Sequence, residues 1–204
     1  MEMSGLSRVI RRVVLAAVLG ATLLPAAAAA AAKEYLNDRA FTTGAQWLSV
    51  RFGYAGERGR FSPDGNVGYG FGYSRMVSRK LSLGANVQHD LLGKFRGSAL
   101  IAVPATFEAV WHFRWNTPIH PYVGAGIGTT YRKTYRTGAD FSSMEPSYSG
   151  NLGIDVPIDR AHLLGADLRL ANVANDSWAF DPVFGLRRPN SLLISFKINY
   201  SLTY

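Results

Sequence analysis

The stretch SLLISFKINYSLTY, Ser191 to Tyr204, decides the fold of this chain, because large apolar side chains alternate with small polar ones along it. Every second residue from Leu192 to Tyr204 is apolar or aromatic, and the other face is polar except for Leu193. Period-two alternation predicts a β-strand whose two faces meet different surroundings. As an exposed edge strand in water this segment would aggregate, whereas a closed barrel in a membrane requires lipid on one face and a lumen on the other.

Seven earlier segments alternate in the same way, which gives an even number of strands. The eight predicted strands are Trp47–Tyr54, Asn66–Ser74, Leu81–His89, Ala99–Trp115, Pro121–Tyr131, Tyr148–Val156, His162–Val173 and Ser191–Tyr204. Short and long connections alternate between them, as periplasmic turns and extracellular loops do in bacterial barrels. A soluble lipocalin-like barrel would carry its apolar side chains inside, and a soluble sandwich is the other alternative. We predict an all-β fold, an eight-stranded antiparallel up-and-down transmembrane β-barrel.

The N-terminus has the three parts of a secretory signal peptide. Arg8, Arg11 and Arg12 are basic, Val13–Leu24 is apolar, and an alanine run ends at Ala32. The apolar part is shorter than the roughly 20 residues that a spanning helix needs. We therefore expect residues 1–32 to be a cleaved signal peptide and residues 33–204 to form the barrel domain. A retained alanine-rich helix is the alternative.

Composition limits the chemistry. The chain has no cysteine, so disulfides, thiolate catalysis and cysteine metal sites are excluded, and we expect no cofactor. The formal net charge is +8. The export signal and the lipid-facing alternation argue against reading this charge as a nucleic-acid surface, so no nucleic-acid partner is predicted.

Strand parity tells which residues face inward, and strand direction tells how far each lies from the periplasmic end, because the first strand of an exported barrel starts in the periplasm. The upper lumen is predicted to be small and rather apolar, lined by Leu100, Ala102, Pro104, Ala171 and Leu193. The lower lumen is predicted to be a floor of mutually neutralising polar side chains, namely Glu108, His112, Arg114, Asp155 and Asp167. This arrangement indicates either a shallow apolar funnel above a polar floor or simple filling of a narrow barrel, since eight strands leave little more than side-chain space.

Two further features of the barrel wall are predicted. Aromatic side chains near strand ends are expected to form interfacial girdles at Tyr54, Trp111, Trp115, Tyr131 and Tyr204. Pro104 interrupts the fourth strand and is predicted to mark a bulge or bend.

Several ordered stretches resemble the OmpW family of outer-membrane proteins. They are QWLSVRFGY (Gln46–Tyr54), LSLGANVQHDLLG (Leu81–Gly93), VPATFEAVWHF (Val103–Phe113), HPYVGAGIGTTY (His120–Tyr131) and LGIDVPIDRAHLLGADLRLANV (Leu152–Val173). The sequence departs from the family pattern at Val103, Trp111, Val156 and Tyr204, where that pattern has Pro, Tyr, Tyr and Phe.

The resemblance implies an outer-membrane barrel with an apolar channel that closes before the periplasm. It further implies passive admission of small hydrophobic molecules across the lipopolysaccharide layer, with lateral release through the wall. The expected partners are outer-membrane lipid and lipopolysaccharide, small hydrophobic solutes, and the barrel-assembly machinery, which the C-terminal strand would contact.

Two other classes of function are known for outer-membrane barrels of this size, enzymes and structural or adhesive proteins. Hydrolysis needs a nucleophile, a histidine and a carboxylate within hydrogen-bond reach, and His89, Asp90 and Ser98 are the nearest approach to this set, without a persuasive spacing. We therefore expect no enzyme activity. The second alternative is a structural or adhesive barrel, whose extracellular loops, such as Arg132–Ser147, bind lipopolysaccharide or host and phage ligands.

Overall fold

The structure is a closed antiparallel barrel of eight strands. The computed structural model describes residues 38–58, 63–95, 97–113, 119–135, 140–174, 180–181, 186–187 and 191–204. The strands are β1 (Gln46–Arg58), β2 (Asn66–Met76), β3 (Leu81–Phe95), β4 (Ser98–His112), β5 (His120–Tyr135), β6 (Phe141–Pro157), β7 (His162–Val173), β8 (Phe180–Asp181), β9 (Leu186–Arg187) and β10 (Ser191–Thr203). The barrel order is β1-β10-β7-β6-β5-β4-β3-β2, and β8 and β9 form a separate two-stranded sheet. The predicted fold class is confirmed.

The outer face of the barrel is apolar. Burial alternates along β4, β7 and β10, so that every second side chain points inward. The outward side chains include Phe107 of β4, which is 73 % exposed, and Ile127 of β5, which is 63 % exposed. A continuous apolar surface of this kind is what a barrel presents to acyl chains.

The stagger of the strands fixes the width of the lumen. The paired residues traced once around the barrel from Trp47 are Ser74, Gly84, Glu108, Gly126, Ser149, Ala171, Leu193 and finally Glu57. The path therefore returns to β1 ten residues above its start, from position 47 to position 57. Eight strands with a stagger of this size tilt strongly and leave an interior that side chains fill.

The strands continue further at one end of the barrel than the sequence pattern predicts. The predicted third strand ends at His89 and the sixth begins at Tyr148, whereas β3 continues to Phe95 and β6 begins at Phe141. Only residues 96 and 97 separate β3 from β4, so the long connection predicted there is wrong. Charged and polar residues in these extensions hide the strand from a search for apolar alternation.

The predicted bulge at Pro104 is also wrong. Val87 pairs with Ala105 and Asp90 with Ala102, so β3 and β4 keep one register on both sides of Pro104. The register shifts instead between Leu91 and Gly93, and Gly93 has a φ of 101° there. Glycine adopts this left-handed conformation at little cost, which suits a bulge. A proline removes one ladder donor without inserting a residue, so it need not shift the register.

Two groups of predictions lie outside the described residues. They are the signal peptide at residues 1–32 and the side chains of Arg114 and Trp115. Among the described residues, no helix has the length and apolar character needed to cross a membrane.

Candidate functional site

The lowest layer of the lumen is an apolar and aromatic plug. A 3₁₀ turn, Asp38–Phe41, folds under the barrel and places Phe41 inside it, with no exposed surface. The Phe41 ring stacks on His120 at 4.2 Å and meets Trp47 edge-on at 5.2 Å. The plug, which we call the basal plug, consists of Ala40, Phe41, Trp47, Met76 and Leu163.

The basal plug was not predicted from the sequence. It is tied to the wall by a hydrogen bond from Trp47 Nε1 to the Ala40 carbonyl oxygen, 2.8 Å long. His112, which was predicted as part of the polar floor, contacts the plug through rings 5.5 Å from Phe41 and 5.1 Å from Trp47. The base of the lumen is therefore closed by apolar contacts beneath the polar side chains.

A polar belt lies above the plug and contains three further residues of the predicted floor, Glu108, Asp155 and Asp167. Arg169 pairs with Glu108 and donates to Asn86 Oδ1 at 3.0 Å. Asp155 accepts a hydrogen bond from Asn199 at 3.3 Å. Two longer contacts join the belt, Arg51 Nε to Asp167 at 3.9 Å and His112 Nδ1 to Asp155 at 4.0 Å. Buried charges require such partners, because isolation from water costs several kcal/mol per ion.

A small cavity of about 40 Å³ opens within the belt, lined among others by Arg51, Glu108, Asp155 and Asn199. Its volume corresponds to roughly three water molecules. Several belt atoms that carry no hydrogen bond within the described structure, including Arg51 Nη1 and Asn199 Oδ1, belong to residues that line this cavity. The cavity is therefore suited to ordered water and is too small for an apolar solute.

A buried ion pair forms the upper edge of the belt. The ammonium group of Lys197 lies 2.5 Å from Asp90 Oδ1 and also donates to Gln88 Oε1. Lys197 has no exposed surface. Gly68 makes room for this pair, because a Cβ at position 68 would lie 2.3 Å from Asp90 Oδ1 and 3.0 Å from Lys197 Cε. This pair separates the belt from the layer above.

An enclosed apolar cluster occupies the upper lumen, and the structure brings four of the five predicted upper residues into it. The apolar cluster consists of Leu92, Leu100, Ala102, Ala171, Val173 and Leu193. Pro104 is buried on the same inner face of β4, outside the cluster. The side chains are packed together, so the upper half is closed in this structure and does not form an open funnel. Leu92 and Val173 were not predicted as lining residues, because the predicted third strand ended at His89 and Val173 was the last residue of the predicted seventh strand.

A charged cluster, the Arg132 cluster, stands beside the apolar cluster. Arg132 contacts Glu57 at 3.2 Å and Glu145 at 3.3 Å, and it also donates to Ser191 Oγ. The side chains of Arg132, Glu57 and Glu145 are all at least nine-tenths buried. The predicted strand bounds leave Arg132, Glu57, Asp90 and Glu145 in the connections between strands, and this is wrong, because they belong to β5, β1, β3 and β6. Strand parity could have revealed that these side chains point inward, because each lies two positions from a buried residue of the same strand, namely Thr130, Ala55, Gln88 and Ser147.

The remaining predicted residues lie in the wall. Tyr54 and Trp111 have outward parity, and Tyr131 and Tyr204 lie on the same outer face. His89 and Asp90 do not form a catalytic dyad, because consecutive strand residues point to opposite faces. The His89 ring stacks on Tyr69 at 5.1 Å, while Asp90 binds Lys197 inside.

Comparison with known proteins identifies the family. The family model of the OmpW family matches residues 48–179, which is more than half of the chain. The chain belongs to the OmpW family. None of the curated proteins matches its sequence.

Among solved structures, this OmpW-family barrel is similar to Neisserial surface protein A, with a TM-score of 0.67, 12 % identity, and coverage of 79 % of this chain and 99 % of that one. It is also similar to Ail, the attachment invasion locus protein of Yersinia pestis, with a TM-score of 0.55, 11 % identity, and coverage of 80 % and 100 %. At these identities the likeness shows the fold. Family and fold together place the protein in the bacterial outer membrane.

Proposed function

We propose that this OmpW-family barrel passively admits small hydrophobic molecules through the upper half of its lumen and releases them sideways into the bilayer. The observation that carries the proposal is the apolar cluster, six buried apolar side chains that face inward from β3, β4, β7 and β10. A lumen that served only to hold the wall together could be filled with paired polar groups, as the belt below is. An apolar solute that loosens the cluster exchanges one set of apolar contacts for another.

The layers beneath the apolar cluster favour a sideways route over a vertical one. A solute moving downward would meet the Lys197–Asp90 pair, then the polar belt, then the basal plug. Separating a buried ion pair to insert an apolar molecule leaves both charges without partners, which costs several kcal/mol. The apolar layer is therefore a dead end toward the periplasm.

The seam between β3 and β4 is the candidate exit. Gln88 does not pair with Pro104, and His89 does not pair with Val103, although β3 and β4 are paired on both sides of this gap. Above this gap the register shifts at Leu92, which is itself a member of the apolar cluster. Fewer ladder hydrogen bonds hold this part of the wall, so it opens at a lower cost than the regular seams. An apolar molecule leaving here enters acyl chains without crossing water.

The test is uptake of an apolar fluorescent tracer by cells that express Leu193→Arg. Leu193 lies in the apolar cluster and pairs directly with Glu57 on β1. An arginine at this position has a carboxylate within reach, so we expect the barrel to fold and the apolar path to be blocked. Leu193→Met keeps an apolar side chain of similar volume and is the matched control.

We expect uptake in the Leu193→Arg cells to fall to the rate of cells without the protein, and Leu193→Met to keep the wild-type rate. Folding is followed by the heat-dependent electrophoretic shift of intact barrels. Equal uptake with and without the wild-type protein would remove the conduit and favour the structural alternative.

The remaining assignments belong to the same proposal. Residues 1–32 are a signal peptide cleaved before Lys33, the C-terminal strand β10 engages the barrel-assembly machinery, and the outer surface contacts lipopolysaccharide. The protein has no catalytic role.

One observation supports a second candidate, a barrel that binds ligands at the cell surface. β5 and β6 continue toward the extracellular end and carry the exposed side chains of Tyr135 and Met144, the latter 69 % exposed. Exposed apolar side chains on a protruding hairpin are common in binding surfaces. The double change Tyr135→Ser with Met144→Ser separates the two functions, because it should abolish surface binding and leave tracer uptake unchanged.

A further inference from the structure

The turn between β2 and β3 at the periplasmic end carries a concentrated positive charge. Arg75 is the second-last residue of β2, and Arg79 and Lys80 lie in the following turn. All three side chains are exposed. The segment from Tyr73 to Leu83 contains no acidic residue. We call Arg75, Arg79 and Lys80 the basic turn.

The backbone of the basic turn is fixed. The Val77 amide donates to the Leu81 carbonyl oxygen at 2.9 Å, and the Ser78 amide donates to the same oxygen at 3.1 Å. The Ser78 hydroxyl accepts from the Leu81 amide at 3.1 Å. The turn is also joined to the neighbouring strand, because the His112 amide donates to the Lys80 carbonyl oxygen at 2.7 Å. The three cations are therefore held on a rigid hairpin end.

Within the described part of the chain, none of these three cations forms an ion pair. The turn between β6 and β7 is different, because Asp159 there accepts a hydrogen bond from Ala161 and pairs with His162. Among the described residues, the β2–β3 turn therefore carries cations without a neighbouring acid, whereas in the β6–β7 turn Asp159 lies beside Arg160 and His162.

Apolar and aromatic side chains surround the basic turn. Val77 is exposed within it, and Tyr73, Trp111 and Phe113 are exposed on β2 and at the end of β4. Trp111 is the strand partner of Leu81, the first residue after the turn. Aromatic side chains beside cations at the lower edge of a lipid-facing surface match the height of phospholipid headgroups.

We propose that the basic turn binds the phosphate headgroup of an anionic phospholipid in the periplasmic leaflet of the outer membrane. Arg75, Arg79 and Lys80 would contact the phosphate oxygens, and the neighbouring aromatic side chains would contact the upper acyl chains. Arginine and lysine are the usual phosphate ligands, and the guanidinium group binds two oxygens at once. The turn lies at the periplasmic end, where β1 begins and β10 ends, whereas lipopolysaccharide lies in the outer leaflet, so the ligand we propose is a phospholipid.

Native mass spectrometry of the full mature protein tests the proposal. The protein is incubated in detergent with equimolar phosphatidylglycerol and phosphatidylcholine that carry identical acyl chains, and bound lipids are counted. Wild type should retain phosphatidylglycerol preferentially. Each cation near an anionic lipid surface contributes a factor of about five in affinity, so the triple variant R75Q/R79Q/K80Q should lose the preference altogether.

The matched control removes three cations from the opposite rim, R58Q/K94Q/K133Q, with the same change in net charge. It should keep the preference for phosphatidylglycerol. An equal loss in both triple variants would show a general charge effect and overturn the site, as would the absence of any preference in wild type.

A competition experiment separates a lipid from a free phosphate. Glycerol 3-phosphate carries the same phosphate chemistry without acyl chains. It should fail to displace bound phosphatidylglycerol at equal concentration, because it lacks the apolar contacts. Full displacement would mean that the site takes soluble phosphate and would contradict the lipid assignment. The outcome is independent of the conduit, because the basic turn lies outside the lumen.

Discussion

Removal of the Phe41 ring should lower the stability of the barrel substantially. Phe41 has no exposed surface and contacts the rings of His120, Trp47 and His112 at 4.2, 5.2 and 5.5 Å. Buried phenylalanine-to-alanine changes cost about 3–5 kcal/mol, which includes the ring contacts. Because the 3₁₀ turn that carries Phe41 precedes β1 and can separate locally from the strands, we expect Phe41→Ala to cost about 3 kcal/mol, at the lower end of this range.

The assay is urea unfolding of the refolded protein in lipid vesicles, followed by tryptophan fluorescence. Phe41→Leu is the matched control, since an apolar side chain of similar size should cost less than about 1.5 kcal/mol. Trp47 supplies a local readout, because it is buried against Phe41 and donates to Ala40. In Phe41→Ala a soluble quencher should reach Trp47 before the barrel unfolds.

A cost below about 1 kcal/mol, with Trp47 still protected from the quencher, would refute this reasoning. It would mean that the 3₁₀ turn rests under the barrel without stabilising it.

Two other changes test the buried charges and a periplasmic turn. Arg132→Met should lower the free energy of unfolding in urea by about 3–5 kcal/mol, because the buried carboxylates of Glu57 and Glu145 lose their cation. The triple change E57Q/R132M/E145Q removes all three charges and should be close to neutral. Equal losses of stability in both variants would contradict the ion-pair account. The hydrogen bond from the Ala161 amide is the largest cause of the lowered pKa of Asp159. The stability that Asp159 contributes is therefore fully present above its unfolded pKa of about 4, and it is lost as the pH falls through the lower pKa of the folded state. Asp159→Asn should therefore cost about 0.5–1 kcal/mol at neutral pH and progressively less as the pH falls below about 4, and a cost that stays constant into acid would contradict this.

The wall of the barrel could be predicted because one physical requirement governs it. Every lipid-facing position, such as Phe107 or Ile127, must be apolar whatever its neighbours are. The signal is local and repeats along each strand. It fades where β3 and β6 rise above the lipid, because both faces there meet water or the lumen, and the strand ends were misplaced for that reason.

The lumen could be predicted only in part, because its side chains are specified by partners on distant strands. Strand parity alone placed Leu100 and Leu193 inside the barrel. The Lys197–Asp90 pair joins two residues that are 107 positions apart in the sequence, and no local pattern reveals such a pair. Phe41 lies outside all eight strands, so no alternation marked it as an interior residue. Pro104 is a strong local signal, but the bulge predicted from it is wrong, because the extra residue in the β3–β4 ladder is Leu92.

The most direct measurement concerns release between β3 and β4, and it uses the absence of cysteine from the chain. Leu91 and Ile101 are outward-facing partners beside the register shift, so Leu91→Cys with Ile101→Cys can join the two strands reversibly by a disulfide. The control joins Leu83→Cys with Ala109→Cys, partners of the same kind lower in the same ladder.

Uptake of the apolar tracer is then compared in cells before and after reduction of the disulfide. The account predicts that the oxidised upper pair slows uptake to the rate of cells without the protein, that reduction restores it, and that the lower pair has no effect. Undiminished uptake with the upper disulfide fully formed would contradict sideways release at this seam.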